Sequence, residues 1–159
     1  MLSPYFYVVG QDPPRRRTVT DRVLINAANE TFWQITRYKP GQQLDMTDPR
    51  DRAMSKTWLE IYGQILGHRT AATDLATRVF SEAAAPYVIV VEKRDGTLTH
   101  LKLESRGNLD VQYSWLVDQP EYYTYIAMFD FTSNRDAPIL DQFALSKRQQ
   151  TAASGWHGW

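Results

Sequence analysis

The hydrophobic period of this sequence changes at Pro86, and that change limits the possible folds more than any other feature. Before Pro86, apolar residues recur at helical spacing; from Tyr87 onward they alternate or run continuously, as they do in strands. Helices grouped ahead of an antiparallel sheet are typical of the α+β class. We therefore predict three N-terminal helices packed on one face of a four- to five-stranded antiparallel meander sheet.

The three predicted helices are bounded by residues that start or stop helices. Thr20, Asp48 and Thr70 carry side-chain oxygens that can accept hydrogen bonds from first-turn amides. Gly67 is placed to end the second helix in a left-handed conformation, which costs glycine little. The remaining two breaks fall at proline, at Pro40 and Pro86.

The predicted strands are separated by turn-forming residues. The four meander strands are predicted at 87–92, 97–104, 109–118 and 122–132, and a fifth strand at 5–9. The Asp95-Gly96 pair between the first two runs is a strong hairpin signal. We expect a single domain over residues 1–159, because the length fits one. Within it, 133–159 is predicted to be a C-terminal segment or tail, with a short helix around Ile139–Arg148.

The predicted element order is similar to that of cone-shaped α+β domains such as the nuclear-transport-factor-like superfamily. The similarity is one of order alone, with no shared motif. That superfamily includes enzymes, ligand binders and scaffolds of secretion machinery, so the resemblance implies a fold and leaves the function open.

Aromatic residues are concentrated in the last two predicted strands. In this prediction Trp115 and Tyr125 lie in the core beneath the helices, and the opposite face of the last strand is also apolar. Such a face needs cover from the first strand, the tail, another protein chain or a small ligand. Tryptophan in the tail suits interface contacts. The predicted interface residues are Tyr122, Ile126 and Met128, together with Trp156 and Trp159 of the tail.

Asp130 is the one candidate catalytic residue. It interrupts an apolar strand between two phenylalanines. Burial among aromatic rings raises the pKa of a carboxyl group, and a raised pKa is typical of general acids. The alternative is that Asp130 simply begins the turn that follows. His68, His100 and His157 lack metal-ligand spacing, and no phosphate loop or dinucleotide fingerprint occurs. We therefore expect no metal and no cofactor.

Composition narrows the classes of partner. Lys+Arg and Asp+Glu both number 18, so the chain lacks the positive excess typical of nucleic-acid binding. It has no cysteine, hence no disulfide. It has no apolar run of about 20 residues, and Arg15 to Arg17 follow the first apolar run, the reverse of a secretory signal. We expect a soluble chain without membrane insertion. The cytoplasm is favoured, although composition leaves the compartment unknown.

Two functions are consistent with these features. The first is a non-enzymatic protein-interaction or scaffold module that self-associates or joins a larger assembly. The alternative is a small-ligand-binding or enzymatic domain, with Asp130 acting in an aromatic-lined pocket. The absence of catalytic motifs favours the first.

Overall fold

The computed structural model describes residues 19–38 and 44–146. The described residues divide into two compact units, the first ending at Leu66 and the second beginning at Gly67. The strand predicted at 5–9 and the tail tryptophans Trp156 and Trp159 lie outside the described residues. The prediction of one domain over the whole chain stays a prediction.

Two helices make up the described part of the first unit, α1 (Val19–Thr36) and the first half of α2 (Pro49–Ala83). Asp48 caps α2 as predicted, with Oδ1 accepting from a first-turn amide at 2.9 Å. Trp58 Nε1 donates to Asn29 Oδ1 at 2.8 Å, which ties the two helices together. The buried apolar residues here are Leu24, Ile25, Ala28 and Phe32 on α1 and Met54, Trp58, Ile61 and Ile65 on α2.

The helix α2 continues through Gly67 for 35 residues, so the prediction that Gly67 ends a helix is wrong. A mid-helix glycine costs about 1 kcal/mol relative to alanine, and the buried apolar stripe on each side of it outweighs that cost. The helix ends instead at Ala84, whose φ is 57° and whose amide donates to Phe80 O at 2.7 Å. The second and third predicted helices are therefore one helix.

The described part of the second unit contains four strands: β1 (Tyr87–Lys93), β2 (Leu98–Leu103), β3 (Tyr123–Asp130) and β4 (Ile139–Leu145). They form a single antiparallel sheet in the order β2-β1-β3-β4. Gly96, with φ 89°, closes the β1–β2 hairpin at the predicted place. The α+β class and the four-stranded antiparallel sheet are confirmed. The meander order is wrong, because β3 pairs with β1 and β4.

A third helix, α3 (Arg106–Val117), stands where a strand was predicted at 109–118. Ser105 begins it, with Oγ accepting from a first-turn amide at 3.2 Å. The residues that α3 packs on the sheet are spaced as on one helix face: Leu109, Tyr113, Leu116 and Val117. The strand prediction failed because Val111, Tyr113 and Trp115 also fit a period of two.

β4 stands where we predicted a short helix around Ile139–Arg148. Its partner β3 is buried along most of its length and needs a neighbour on each edge to satisfy its backbone. Phe129 of β3 pairs with Leu140 of β4 on the edge that β1 leaves open. Part of the predicted C-terminal segment, 133–159, therefore belongs to the sheet.

Helices contact both faces of the sheet. α3 covers the face that carries Met128. On the other face, the ring of His68 lies 4.6 Å from that of Tyr125, and Phe80 stacks on Phe131 at 4.5 Å. α3 was not among the three predicted N-terminal helices, and it lies on the sheet face opposite to α2. Since β2 and β3 both run antiparallel to β1, they are parallel to each other. Parallel strands need a crossover connection, which usually contains a helix, and here that helix is α3.

Candidate functional site

Asp130, the predicted acid, is the last residue of β3. Its Oδ1 accepts from Thr132 N at 2.8 Å and from Thr132 Oγ1 at 2.5 Å. Its Oδ2 lies 3.7 Å from a guanidinium nitrogen of Arg106. These contacts match the alternative in which Asp130 begins a turn, and they leave the carboxylate engaged on both oxygens.

Arg106 stands at the centre of three carboxylates. Besides Asp130, its guanidinium lies 3.2 Å from Asp110 and 3.3 Å from Asp141. Burial raises the pKa of Asp141, and the positive charge of Arg106 opposes that rise. The cluster joins α3 to β3 and β4. Across residues 19–38 and 44–146, no group of three or more His, Asp or Glu side chains is arranged to hold a metal ion.

A second polar cluster lies where α2 meets the sheet, and no pattern in the sequence indicated it. His68 Nδ1 is 3.9 Å from Glu92 Oε1, and Thr124 Oγ1 donates to Glu92 Oε2 at 2.6 Å. Burial lowers the pKa of His68, while the negative charge of Glu92 acts in the opposite direction. His68 lies inside α2, which continues past it to Ala83.

Two buried polar atoms of this cluster lack hydrogen-bond partners among the described residues: Nε2 of His68 and the hydroxyl of Tyr125. Each such atom costs about 1–3 kcal/mol. Burial, and then the charge of Glu92, raise the pKa of Tyr125, which therefore stays a neutral phenol. Within the described residues, the imidazole nitrogen and the phenol hydroxyl thus have hydrogen-bonding capacity that no protein group uses.

The three predicted interface residues described by the structure do not form one surface. Ile126 and Met128 are buried in the cluster that α3 covers. Tyr122 is 64% exposed at the end of a single 3₁₀ turn, Pro120–Tyr122. The apolar face of β3 thus has its cover within the chain.

The largest apolar exposure on α3 is at Val111 and Trp115, which we call the α3 patch. Their exposed fractions are 65% and 60%. The prediction that Trp115 lies in the core is wrong: the two residues are one helical turn apart on the side of α3 away from the sheet. Gly107 and Ser114 lie exposed beside them. A helical period through Leu109 was the signal that could have found this patch.

The turn that carries Tyr122 is held to the β1–β2 hairpin. Arg94 Nε donates to Glu121 O at 2.9 Å, and a terminal guanidinium nitrogen of Arg94 donates to Pro120 O. Tyr122 N donates to Gln119 O at 3.1 Å. Tyr122 is therefore exposed on a fixed backbone, shortly after α3 ends.

Comparison with known proteins finds no relative. No protein-family model matches the chain, and neither a curated protein nor a solved structure is significantly similar to it. In the described part of the chain, α1, α2 and α3 lack the combination of length and apolar character needed to cross a membrane. A function can therefore be inferred only from the geometry of the molecule, at the α3 patch and at the His68–Tyr125 cluster.

Proposed function

We propose that this chain is a non-enzymatic interaction module that pairs with a second copy of itself through the α3 patch, as a homo-oligomer or as part of a larger assembly. One observation carries the proposal: Val111 and Trp115 are 65% and 60% exposed on the same side of one helix. Exposed apolar surface of this kind is typical of protein contact sites, and tryptophan is enriched at interface hot spots.

We propose a second copy as the partner because of the net charge of the chain and the size of the side chains beside the patch. The chain carries 18 basic and 18 acidic residues, so two copies meet without net repulsion. Across a two-fold axis the same patch contacts itself, and each Trp115 side chain packs beside its equivalent. The small residues Gly107 and Ser114 are exposed next to the patch, which allows two α3 helices to approach closely.

Tyr122 extends the proposed contact. It is 64% exposed and its turn is fixed by Arg94, so burying its ring orders no further backbone. We propose that Tyr122 lies at the rim of the interface, where its hydroxyl remains accessible to water.

The test is the oligomeric state of the full chain, measured by sedimentation equilibrium. The wild type is expected to dimerise, and Trp115→Gln to weaken the dimer about 30-fold, equivalent to about 2 kcal/mol. Leu59→Gln is the matched control, because Leu59 is 41% exposed on α2. It should leave the dimer constant unchanged. A wild type that stays monomeric at about 100 μM, or a dimer that Trp115→Gln leaves intact, would contradict the proposal.

A second function, small-ligand binding or catalysis, is favoured by the His68–Tyr125 cluster rather than by Asp130. The observation is that a buried imidazole nitrogen and a buried phenol hydroxyl, on rings 4.6 Å apart, find no hydrogen-bond partner within the described part of the chain. Unpaired buried polar groups of native proteins often belong to functional sites or to bound water.

This alternative is tested by NMR titration with acetamide, a minimal donor and acceptor. Saturable shifts of the His68 and Tyr125 ring signals are expected, with His100 on β2 as the internal reference. Tyr125→Phe should abolish the saturation while the fold is kept, since only a hydroxyl is removed. Signals from both rings that stay constant would count against the alternative.

A further inference from the structure

A surface cavity of about 360 Å³ lies at the C-terminal end of α2, and its lining shares no residue with the α3 patch or the His68–Tyr125 cluster. Its lining residues are Thr77, Phe80, Ser81, Ala84, Arg135 and Asp136. We propose that this cavity binds a small zwitterion that carries both a carboxylate and an ammonium group, of the class of free amino acids. Its volume is in the range of small-molecule sites.

Arg135 supplies the carboxylate-binding group. Its guanidinium carbon lies 5.7 Å from the centre of the Phe80 ring, within range of a cation–π contact. Within residues 19–38 and 44–146, no carboxylate is found in an ion pair with Arg135. Its planar fork of N–H donors is therefore available for a carboxylate.

Asp136 and the end of α2 supply the opposite charge. Asp136 lines the same cavity as Arg135. The last turn of α2, which closes on Ala84, carries the partial negative charge of a helix C-terminus. A simple anion would meet repulsion from both. A zwitterion places its carboxylate on Arg135 and its ammonium toward Asp136 and the helix end.

The turn that presents these two charges is held in place at several points. Phe131 N donates to Pro86 O at 2.9 Å. Asn134 Oδ1 accepts from Asp136 N at 2.9 Å and from Ala137 N at 3.2 Å. Arg135 thus lies on an ordered backbone between these anchors, so binding orders little of the loop.

The walls of the cavity suit the rest of an amino acid. Phe80 stacks on Phe131 with an interplanar angle of 2°, which fixes its ring as an apolar wall. Thr77 and Ser81 are four residues apart on α2, so both hydroxyls lie on one side of the helix. They can donate to the carboxylate beside Arg135, which leaves the apolar side chain of the ligand at the edge of the Phe80 ring.

The experiment titrates the full chain with leucine, with N-acetylleucine, which keeps only the carboxylate, and with leucinamide, which keeps only the ammonium. NMR shifts of the Thr77 and Ser81 amides report binding. Leucine is expected to saturate, with each blocked derivative at least about tenfold weaker. Arg135→Gln and Asp136→Asn should each weaken leucine about tenfold. Arg78→Gln, an exposed position on α2 outside the cavity lining, should leave binding unchanged.

Three results would overturn the proposal. They are the lack of saturation by leucine up to about 50 mM, equal binding of N-acetylleucine and leucine, and unchanged leucine binding in Arg135→Gln. None of these depends on the oligomeric state, because the cavity lining shares no residue with the α3 patch.

Discussion

The guanidinium of Arg106 lies 3.3 Å from the carboxylate of Asp141, which joins the first turn of α3 to β4. The side chain of Asp141 is 17% exposed, so its charge is poorly hydrated. Arg106 also reaches Asp130 at the end of β3. One arginine thus connects the crossover helix to two neighbouring strands.

Arg106→Gln is expected to lower the free energy of unfolding by about 1 kcal/mol at pH 7, because Asp141 loses its cation. The loss of stability is small because Arg106 is itself exposed to solvent, which weakens its ion pairs. Asp110→Asn, which removes an exposed partner of Arg106, should change stability by less than about 0.5 kcal/mol. Urea denaturation measures both.

The pH dependence of this loss follows from Asp141, whose pKa is raised by burial and lowered by Arg106. Because the pKa of Asp141 is raised in the folded protein, protonated Asp141 stabilises the fold. This stability is fully present below the unfolded pKa of 3.8 and is lost as pH rises through the folded pKa. In Arg106→Gln that pKa rises further. The stability loss should therefore be larger at neutral than at acid pH, and a loss independent of pH would contradict the assignment.

His68 is expected to titrate below its ordinary pKa of 6.5, because burial disfavours the imidazolium. The stability that the folded state gains from keeping His68 neutral is fully present above the pKa of His68 in the unfolded chain. It is lost as pH falls through the lower pKa of His68 in the folded protein. Glu92→Gln should lower the pKa of His68 further, since the charge of Glu92 favours the protonated form. Imidazole NMR signals followed against pH measure this. A pKa that rises in Glu92→Gln would refute the described geometry.

Ser105→Ala should lower the free energy of unfolding by about 1 kcal/mol, because Ser105 Oγ caps α3. Ser105→Asp keeps a cap oxygen and should retain most of the stability. Chemical denaturation compares the two variants. Equal stabilities would argue that the segment after Ser105 is not a capped helix.

Gly67→Ala is expected to raise the free energy of unfolding by about 1 kcal/mol, because Gly67 is inside α2 and a Cβ there meets no atom within 4 Å. Gly96→Ala should lower the free energy of unfolding by a similar amount, because Gly96 has φ 89° and alanine adopts positive φ less readily than glycine. A destabilised Gly67→Ala would instead support a helix break at this position. Thermal and urea unfolding of the two variants provide the comparison.

The elements that sequence reasoning predicted well have local causes. The start of α2 at Asp48 and Pro49 depends on a cap and a first-turn proline, and the β1–β2 hairpin depends on Asp95-Gly96. All the groups involved lie within a few residues of one another. By contrast, the cavity brings Phe80 to Arg135, and no sequence pattern links positions so far apart.

The segment 109–118 shows where local reasoning failed. Val111, Tyr113 and Trp115 alternate as in a strand, while Leu109, Tyr113 and Leu116 repeat as on a helix. Both periods fit so short a segment. The Ser105 cap favours the helix, and the pairing of β3 beside β1 requires a crossover of helical length. Because this segment is a helix that packs on the sheet through Leu109 and Leu116, Trp115 faces the solvent.

The amino-acid sequence alone determined the α+β class, the start of α2 and the first hairpin, because caps, turn residues and hydrophobic period act over a few residues. Only the tertiary structure decided that α2 runs through Gly67, that α3 replaces a strand and that Arg106 meets Asp141. These outcomes depend on burial between distant segments, whose free energy exceeds the roughly 1 kcal/mol preferences of single residues.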